Sequence, residues 1–180
     1  MSWDVTLTAF WGGQPGSLLF WAWGLALFSA VAVWRSYRTA PDLAPYVGAA
    51  LAGIQLFFLF LVAFVSSPFE RLAVPAADGR GLNPLLWDDG MRIHPPLLLW
   101  GYMSFSVPFA LAVAALLAGR LDRAWLGAAR GWMLLAWAIQ GGGLLAGSWW
   151  AYHVLGWGGY WGWDPVENAA LLPWLTATAF

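Results

Sequence analysis

Residues 93–119, IHPPLLLWGYMSFSVPFALAVAALLAG, contain no Asp, Glu, Lys or Arg and decide the class of fold. The run is longer than the roughly 20 residues that an α-helix needs to cross the hydrocarbon core of a membrane. Three further runs without these residues are also long enough, and they cover residues 5–34, 43–69 and 131–163. The composition agrees, because the 180 residues are 61% hydrophobic and only 9% charged. The sequence therefore predicts an all-α fold, a polytopic transmembrane helical bundle with about four complete spans.

A fifth apolar run, residues 168–180, is too short to cross a membrane and predicts a truncated fifth span. We therefore expect one membrane domain over residues 1–180, as a fragment of a longer protein. The four complete helices are expected to begin near Ser17, Tyr46, Pro95 and Gly131, and the fourth is expected to end near Trp150. Residues 4–16, which are rich in glycine and contain Pro15, are expected to form an irregular entry at the membrane interface.

The arginines orient these spans, since loops that stay in the cytoplasm carry an excess of positive charge. The first and third loops hold five arginines against two aspartates, whereas the second loop, residues 68–92, holds three arginines against four acids. The second loop, the N-terminus and the segment after the fourth span are therefore predicted to lie on the outer face. In a bacterium this arrangement is a multi-pass inner-membrane protein whose outer loops face the periplasm.

Two function classes are excluded by composition. The chain has no cysteine, so it offers no disulfide, thiolate metal site or cysteine nucleophile of its own. It has no lysine, and its eight arginines are spread over the loops without forming a basic patch, so we expect no nucleic-acid partner.

Residues 149–174, WWAYHVLGWGGYWGWDPVENAALLPW, combine tryptophans and tyrosines with closely spaced glycines. Aromatic side chains provide broad flat faces, and glycines allow a ligand to approach the backbone. Aromatic residues also form belts at membrane interfaces, but a belt does not explain Trp157, Trp161 and Trp163 within seven residues. The pattern favours a large planar apolar ligand.

His94 is predicted to face this aromatic segment, because two membrane crossings separate them and return the chain to the outer face. Pro95 and Pro96 are expected to exclude helix at His94 and to begin the third span, which would hold the imidazole at the mouth of a helix. An imidazole beside flat aromatic walls suits an axial ligand of haem iron. The alternative is an interfacial residue that caps the helix.

Asp164 and Glu167 have the spacing of a helix capping box around Pro165. This structural role is favoured over a catalytic pair of carboxylates, and Asp164 remains a weaker candidate for positioning a ligand. His153 is undecided between ligation and simple exposure at the interface, with exposure favoured.

Two arginines of the second loop, Arg80 and Arg92, are candidates for pairing with haem propionates, because guanidinium binds carboxylate in a bidentate fork. They could equally balance the acids of the same loop. Those acids are Asp78, Asp88 and Asp89.

Residues 157–168, WGGYWGWDPVEN, resemble the WWD signature of the haem-handling proteins of cytochrome c biogenesis. Within that group, three further stretches are similar to the CcmF-type cytochrome c haem lyase subunits. These stretches are WGGQPGSLL (11–19), DGRGLNPLLW (78–87) and IHPPLL (93–98). The resemblance covers essentially the whole chain, although a complete family member is several times longer.

The resemblance implies that the chain presents haem on the periplasmic face for thioether attachment to the CXXCH cysteines of apocytochrome c. It implies His94 as one axial ligand, with Trp157, Tyr160, Trp161 and Trp163 as the porphyrin platform and Asp164 beside it. The implied partners are a periplasmic haem chaperone, apocytochrome c and other cytochrome c maturation subunits. The family also carries a haem b within the membrane, whose histidines lie beyond Phe180. The isolated fragment is therefore expected to be inactive as a lyase.

Two alternatives stay open. One is a WWD-type haem exporter or haem-delivery subunit without lyase activity, and the other is a structural assembly subunit whose aromatic loop docks a partner protein. Further histidines downstream of Phe180 favour the lyase, and haem binding that depends on His94 argues against the assembly subunit.

Overall fold

The computed structural model describes residues 2–71, 73–74, 77–79, 81–120, 122–154, 156 and 159–180, with backbone only for Leu85 and Ala124. The regular structure in these ranges is helical, as predicted. The helices are α1 (Trp3–Gly12), α2 (Gln14–Thr39), α3 (Ala44–Phe60), α4 (Asp89–Leu117), α5 (Ala124–His153) and α6 (Pro165–Ala179). A π-helix, Leu61–Val65, continues α3, and a 3-10 turn, Pro84–Leu86, precedes α4.

Three helices in the described ranges are long and apolar enough to cross a membrane: α2, α3 with its π-helical continuation, and α4. The fourth predicted span is α5, which is as long as the others at 30 residues. Its tryptophans, its run of three glycines and Gln140 make it less apolar. The fourth span and the side of the membrane on which each loop lies therefore stay predictions.

Helix α4 is the centre of the bundle and packs against α1, α2, α3 and α5. Its Met103 and Val107 are almost fully buried against Leu25 of α2 and Val47 and Leu51 of α3. Burial of a large aliphatic side chain stabilises a fold mainly through close packing when the surroundings are lipid, because lipid is as apolar as the core. This packing holds α4 in one position and so places the residues at its first turns.

Glycines allow α4 and α5 to pack at close range. A Cβ on Gly101 would lie 2.8 Å from Cα of Gln140, and a Cβ on Gly143 would lie 2.9 Å from Cα of Leu98. Gly143 and Gly147 are four residues apart on α5 and therefore share a face, the spacing by which small residues bring membrane helices together.

Helix α6 packs against α5 through two indole hydrogen bonds. Trp174 Nε1 donates to the Trp137 carbonyl at 3.1 Å, and Trp137 Nε1 donates to Thr178 Oγ1 at 2.8 Å. The two indole rings stack with centroids 5.4 Å apart. The buried Gln140 adds a hydrogen bond from Nε2 to the Ala170 carbonyl at 3.0 Å. These contacts fix the middle and second half of α6 against the middle of α5.

The prediction of an irregular segment over residues 4–16 was wrong. Residues Trp3–Gly12 form α1, and α2 begins at Gln14 rather than near Ser17. Pro15 lies in the first turn of α2, where its missing N–H would have no partner in the helix anyway. Gly13 alone is extended and separates the two helices.

The prediction that helix is excluded at His94 was also wrong, because α4 begins at Asp89 and runs through Pro95 and Pro96. Pro95 cannot donate to the carbonyl four residues earlier, which is that of Met91. Trp11 Nε1 donates to this carbonyl instead, at 3.1 Å. A donor from α1 therefore satisfies the carbonyl that the proline frees, and the helix continues.

Candidate functional site

A cavity of about 150 Å³ lies where α4 begins, α5 ends and α6 begins. We call it the site cavity. Its lining side chains and backbone come from His94, Leu98, Leu144, Gly147, Ser148, Trp150, Trp161, Asp164, Val166, Glu167 and Ala170. The structure thus brings together three of the predicted site residues, namely His94, Trp161 and Asp164.

His94 is held with one ring nitrogen engaged. Its Nδ1 lies 2.8 Å from the Gly143 carbonyl oxygen, which can only accept a hydrogen bond, so Nδ1 carries the proton. In the neutral ring Nε2 then has the lone pair. Metal-bound histidines commonly donate their other ring N–H to a carbonyl in this way, which fixes the tautomer and the orientation of the ring. The arrangement leaves Nε2 as the nitrogen for ligation.

Two indole N–H groups in the lining lack partners. Nε1 of Trp150 and Nε1 of Trp161 are buried without a hydrogen bond to any described protein atom. Trp150 also packs beside His94, with ring centroids 5.9 Å apart. A buried donor without a partner costs free energy of about 1–3 kcal/mol, so a ligand that brings acceptor atoms would gain from both groups.

Asp164 and Glu167 form the predicted capping box, which confirms that role. Asp164 Oδ1 accepts from the Glu167 backbone N–H at 2.7 Å, and Glu167 Oε2 accepts from the backbone N–H groups of Asp164 at 3.3 Å and Gly162 at 2.9 Å. Both carboxylates therefore hold the backbone at the start of α6 while they also line the site cavity.

Two other predicted platform residues, Tyr160 and Trp163, do not line the site cavity. Tyr160 stacks on Tyr152 with centroids 4.3 Å apart, and Trp163 is 72% exposed. The rings of Trp161 and Trp163 meet at 79°, so these two do not form one flat shelf. Trp157 lies outside the described residues, and the role of each platform residue stays a prediction.

Trp163 has a left-handed backbone conformation, with φ of 57°. A bulky residue in this region is strained and persists only when its surroundings hold it there. Asn168 Nδ2 contributes by donating to the Trp163 carbonyl at 3.2 Å. The strain falls on the residue immediately before Asp164, where the loop turns into α6.

Arg92 contacts two acids, Asp4 of α1 and Asp89 one turn earlier in α4. This geometry favours charge balance over propionate binding for Arg92. Arg80, the other candidate, lies outside the described residues. His153 does not line the site cavity; it contacts the Trp149 carbonyl and Asp88.

Sequence reasoning did not include Gly143 and Gly147 in the site, and it placed Trp150 in the aromatic segment without assigning it to the porphyrin platform. The spacing of the two glycines was a usable signal, since small residues four apart in an apolar helix indicate a close helix contact. No comparable signal distinguished Trp150 from Trp149, because adjacent residues differ only in the direction that the helix gives them.

The donor set fits an iron porphyrin. A neutral imidazole with a free Nε2 provides an axial ligand, and the indole groups provide apolar faces and hydrogen-bond donors. Small-molecule pockets usually measure about 300–1,000 Å³, so the smaller site cavity would take an edge of such a ligand rather than enclose it. The described residues contain no group of three or more His, Cys, Asp and Glu that could hold a bare metal ion. These features are those of a helical membrane protein with a candidate haem-binding site at one end of its bundle.

Comparison with known proteins is consistent with this class of protein. The family model described as cytochrome C assembly protein matches residues 11–180. The cytochrome c-type biogenesis protein CcmF of Pseudomonas fluorescens is 48% identical over 181 residues, which cover 99% of this chain and 27% of the relative. CcmF of Escherichia coli K12 is 47% identical over 174 residues, which cover 96% of this chain and 27% of the relative.

A solved structure of cytochrome c haem lyase CcmF is similar to this chain, with a TM-score of 0.80 and 41% sequence identity. The similar region covers 99% of this chain and 28% of the solved chain. The chain belongs to the cytochrome c assembly protein family. It spans 27% of the length of the CcmF relatives described above.

Proposed function

We propose that the chain takes part in cytochrome c biogenesis by holding haem at the site cavity and presenting it to apocytochrome c. The observation that carries the proposal is the hydrogen bond from His94 Nδ1 to the Gly143 carbonyl, which leaves Nε2 for ligation. The names of the relatives support it, since the relatives are cytochrome c biogenesis proteins and the similar solved structure is a haem lyase.

The chain's own residues have distinct parts in this proposal. Gly143 fixes the tautomer of His94, and Gly147 leaves room for the ring. Trp150 and Trp161 offer their N–H groups to acceptor atoms of the ligand, such as a propionate. Asp164 and Glu167 hold the loop that carries Trp161. Haem supplies the vinyl groups for the thioether bonds, and the thiols come from the CXXCH segment of apocytochrome c, because this chain has no cysteine.

We assign the chain to a bacterial inner membrane with the site cavity on the periplasmic side. The support is the surplus of arginine in the first and third loops, which lie at the opposite end of the bundle from the site cavity. The partners in this setting are a periplasmic haem chaperone, apocytochrome c and the other maturation subunits. A haem b within the membrane would be bound by parts of the longer protein that this chain does not include.

The test is a titration of ferric and ferrous haem into the chain in lipid nanodiscs, followed by the Soret absorbance. We expect the native chain to show a coordinated haem spectrum and His94→Ala to lose it, with added imidazole restoring it. His153→Gln is the matched control, since it alters the other histidine and should keep the coordinated spectrum at saturating haem. Identical titrations of the native chain and His94→Ala would overturn the assignment.

A further inference from the structure

Just beyond the site cavity, the start of α4 and the end of α5 are joined by two titratable side chains. His153 Nε2 lies 3.2 Å from Asp88 Oδ2. Asp88 is the N-cap of α4 and His153 is the last residue of α5, beyond the end of the predicted span at Trp150. Asp88 uses its other oxygen, Oδ1, to accept from the Gly90 backbone N–H at 2.7 Å.

The other ring nitrogen of His153 decides the protonation state that this contact needs. Nδ1 lies 2.9 Å from the Trp149 carbonyl oxygen, so it must carry a proton. In a neutral ring Nε2 would then have only a lone pair, and it would face a carboxylate oxygen that also can only accept. The contact is favourable only when the ring is the imidazolium, which donates from both nitrogens.

We propose that protonated His153 and Asp88 form a link that positions His94, so that a proton on the outer end of α5 controls how firmly α4 is held at the site cavity. This inference rests on the proposed haem function for its consequence, but the link itself does not. Asp88 and His153 are positioning residues, since neither lines the site cavity.

The link affects the position of His94 through the side chains packed between them. Trp150 lies three residues before His153 on α5, and its ring occupies the space that a Cβ on Gly90 would need. The same ring packs against His94. Gly90, Trp150 and His94 are thus in one chain of contacts. If the link opens, the first turn of α4 can move away from Trp150, and the ring of His94 moves with it.

The charged groups around the link leave Asp88 as the partner of His153. Asp89 and Arg92, in the first turns of α4, pair with each other, and Arg92 also pairs with Asp4. Asp164 and Glu167 at the start of α6 are engaged in their capping box. The carbonyl of Trp149, and after it Asp88, raise the pKa of His153 above its ordinary value.

The sign of the pH effect follows. A histidine whose pKa is raised in the folded state stabilises that state in full below the ordinary value of about 6.5, and the contribution is lost as the pH rises through the raised value. The link is therefore closed in mildly acidic conditions and open in alkaline ones. Because both groups are partly exposed, the expected effect is modest, about two- to fivefold.

Two readouts test the proposal in nanodiscs, from about pH 5.5 to about pH 8.5. The first is hydrogen exchange of the first turn of α4 without haem, corrected for intrinsic exchange rates. In the native chain we expect protection to fall about two- to fivefold as the pH rises. In His153→Gln this pH dependence should be absent. Asp88→Asn keeps a good N-cap, since Asn caps as well as Asp. The amide of this variant can donate to a neutral His153 ring, so protection of the first turn of α4 should not fall in this variant as the pH rises.

The second readout is haem affinity over the same range, taken as the ratio of native to His153→Gln, which removes the titration of every other group. We expect this ratio to fall about two- to fivefold as the pH rises. Equal pH profiles of protection in the native chain and both variants would overturn the link. If the native chain instead shows the expected pH-dependent protection but binds no haem, the proposed function is wrong and the link is retained.

Discussion

The imidazole of His94 rests directly on the backbone of Gly147. A Cβ at position 147 would lie 2.5 Å from Cε1 and 2.8 Å from Nδ1 of that ring, closer than real carbon atoms approach. One turn earlier on the same face of α5, the Gly143 carbonyl accepts the Nδ1 proton. The backbone of α5 therefore both clears space for the ring and fixes its tautomer.

Gly147→Ala should displace His94 and break its hydrogen bond to Gly143. Loss of the group that orients a metal-binding histidine typically lowers metal affinity 10–100-fold, so we expect about that decrease in haem affinity. Gly131→Ala is the control on the same helix, because a Cβ there would meet nothing within 4 Å. Both variants are titrated with haem as for the native chain. Equal affinities of the two alanine variants would contradict the role of Gly147.

Much of the fold could be predicted because the length and composition of an apolar run indicate a membrane-spanning helix. The long apolar runs placed α2, α3 and α4, and the capping pattern of Asp164 and Glu167 placed the start of α6. The boundaries near proline were missed for a different reason. Pro95 ends a helix only if the freed carbonyl of Met91 finds no donor, and the donor is Trp11, 80 residues away in the chain. Local sequence does not contain that contact.

The site could be predicted only in part, because some of its geometry also depends on features that local sequence does not contain. The sequence predicted that His94 and Trp161 lie on the same face, because two membrane crossings separate them, and both line the site cavity. The predicted flat shelf required the relative orientation of neighbouring rings, which the loop sets through the left-handed backbone of Trp163. A tryptophan gives no sequence signal for that conformation, since glycine is the residue that usually adopts it.

Trp11→Phe should destabilise the bundle, because it leaves the Met91 carbonyl without a donor while keeping an aromatic ring beside Phe20. A buried carbonyl that loses its partner costs about 1–3 kcal/mol, and we expect a loss of unfolding free energy in that range. The measurement is equilibrium unfolding in mixed detergent micelles. Trp3→Phe, on the same helix and 89% exposed, is the control and should have little effect.

A second variant identifies the cause. Pro95→Ala restores an N–H four residues after Met91, so the double variant Trp11→Phe with Pro95→Ala should recover most of the lost stability. If the double variant is no more stable than Trp11→Phe alone, the Met91 carbonyl is not what Trp11 stabilises.

Asp164→Ala should loosen the first turn of α6, since it removes the acceptor of the Glu167 N–H. Loss of an N-cap costs about 1 kcal/mol, which corresponds to about fivefold faster exchange of that N–H through local opening. Asp164→Asn should exchange at nearly the native rate, because Asn retains the acceptor oxygen. Hydrogen exchange followed by mass spectrometry compares the three chains. Equally fast exchange in both variants would show that the charge, not the cap, is what matters.

Trp150→Phe and Trp161→Phe separate ligand positioning from ligation. Each keeps an aromatic face in the site cavity and deletes an indole N–H that has no partner among the described protein atoms. If these groups donate to a charged acceptor such as a haem propionate, each loss should cost about 1.5–3 kcal/mol of binding free energy, roughly a 10–150-fold weaker Kd. The Soret spectrum at saturating haem should stay native in both variants, because His94 still provides Nε2. His94→Ala should instead change the spectrum itself. Native affinities in both phenylalanine variants would mean that the two tryptophans contribute their faces alone, and the proposed haem site would then lack its hydrogen-bond donors.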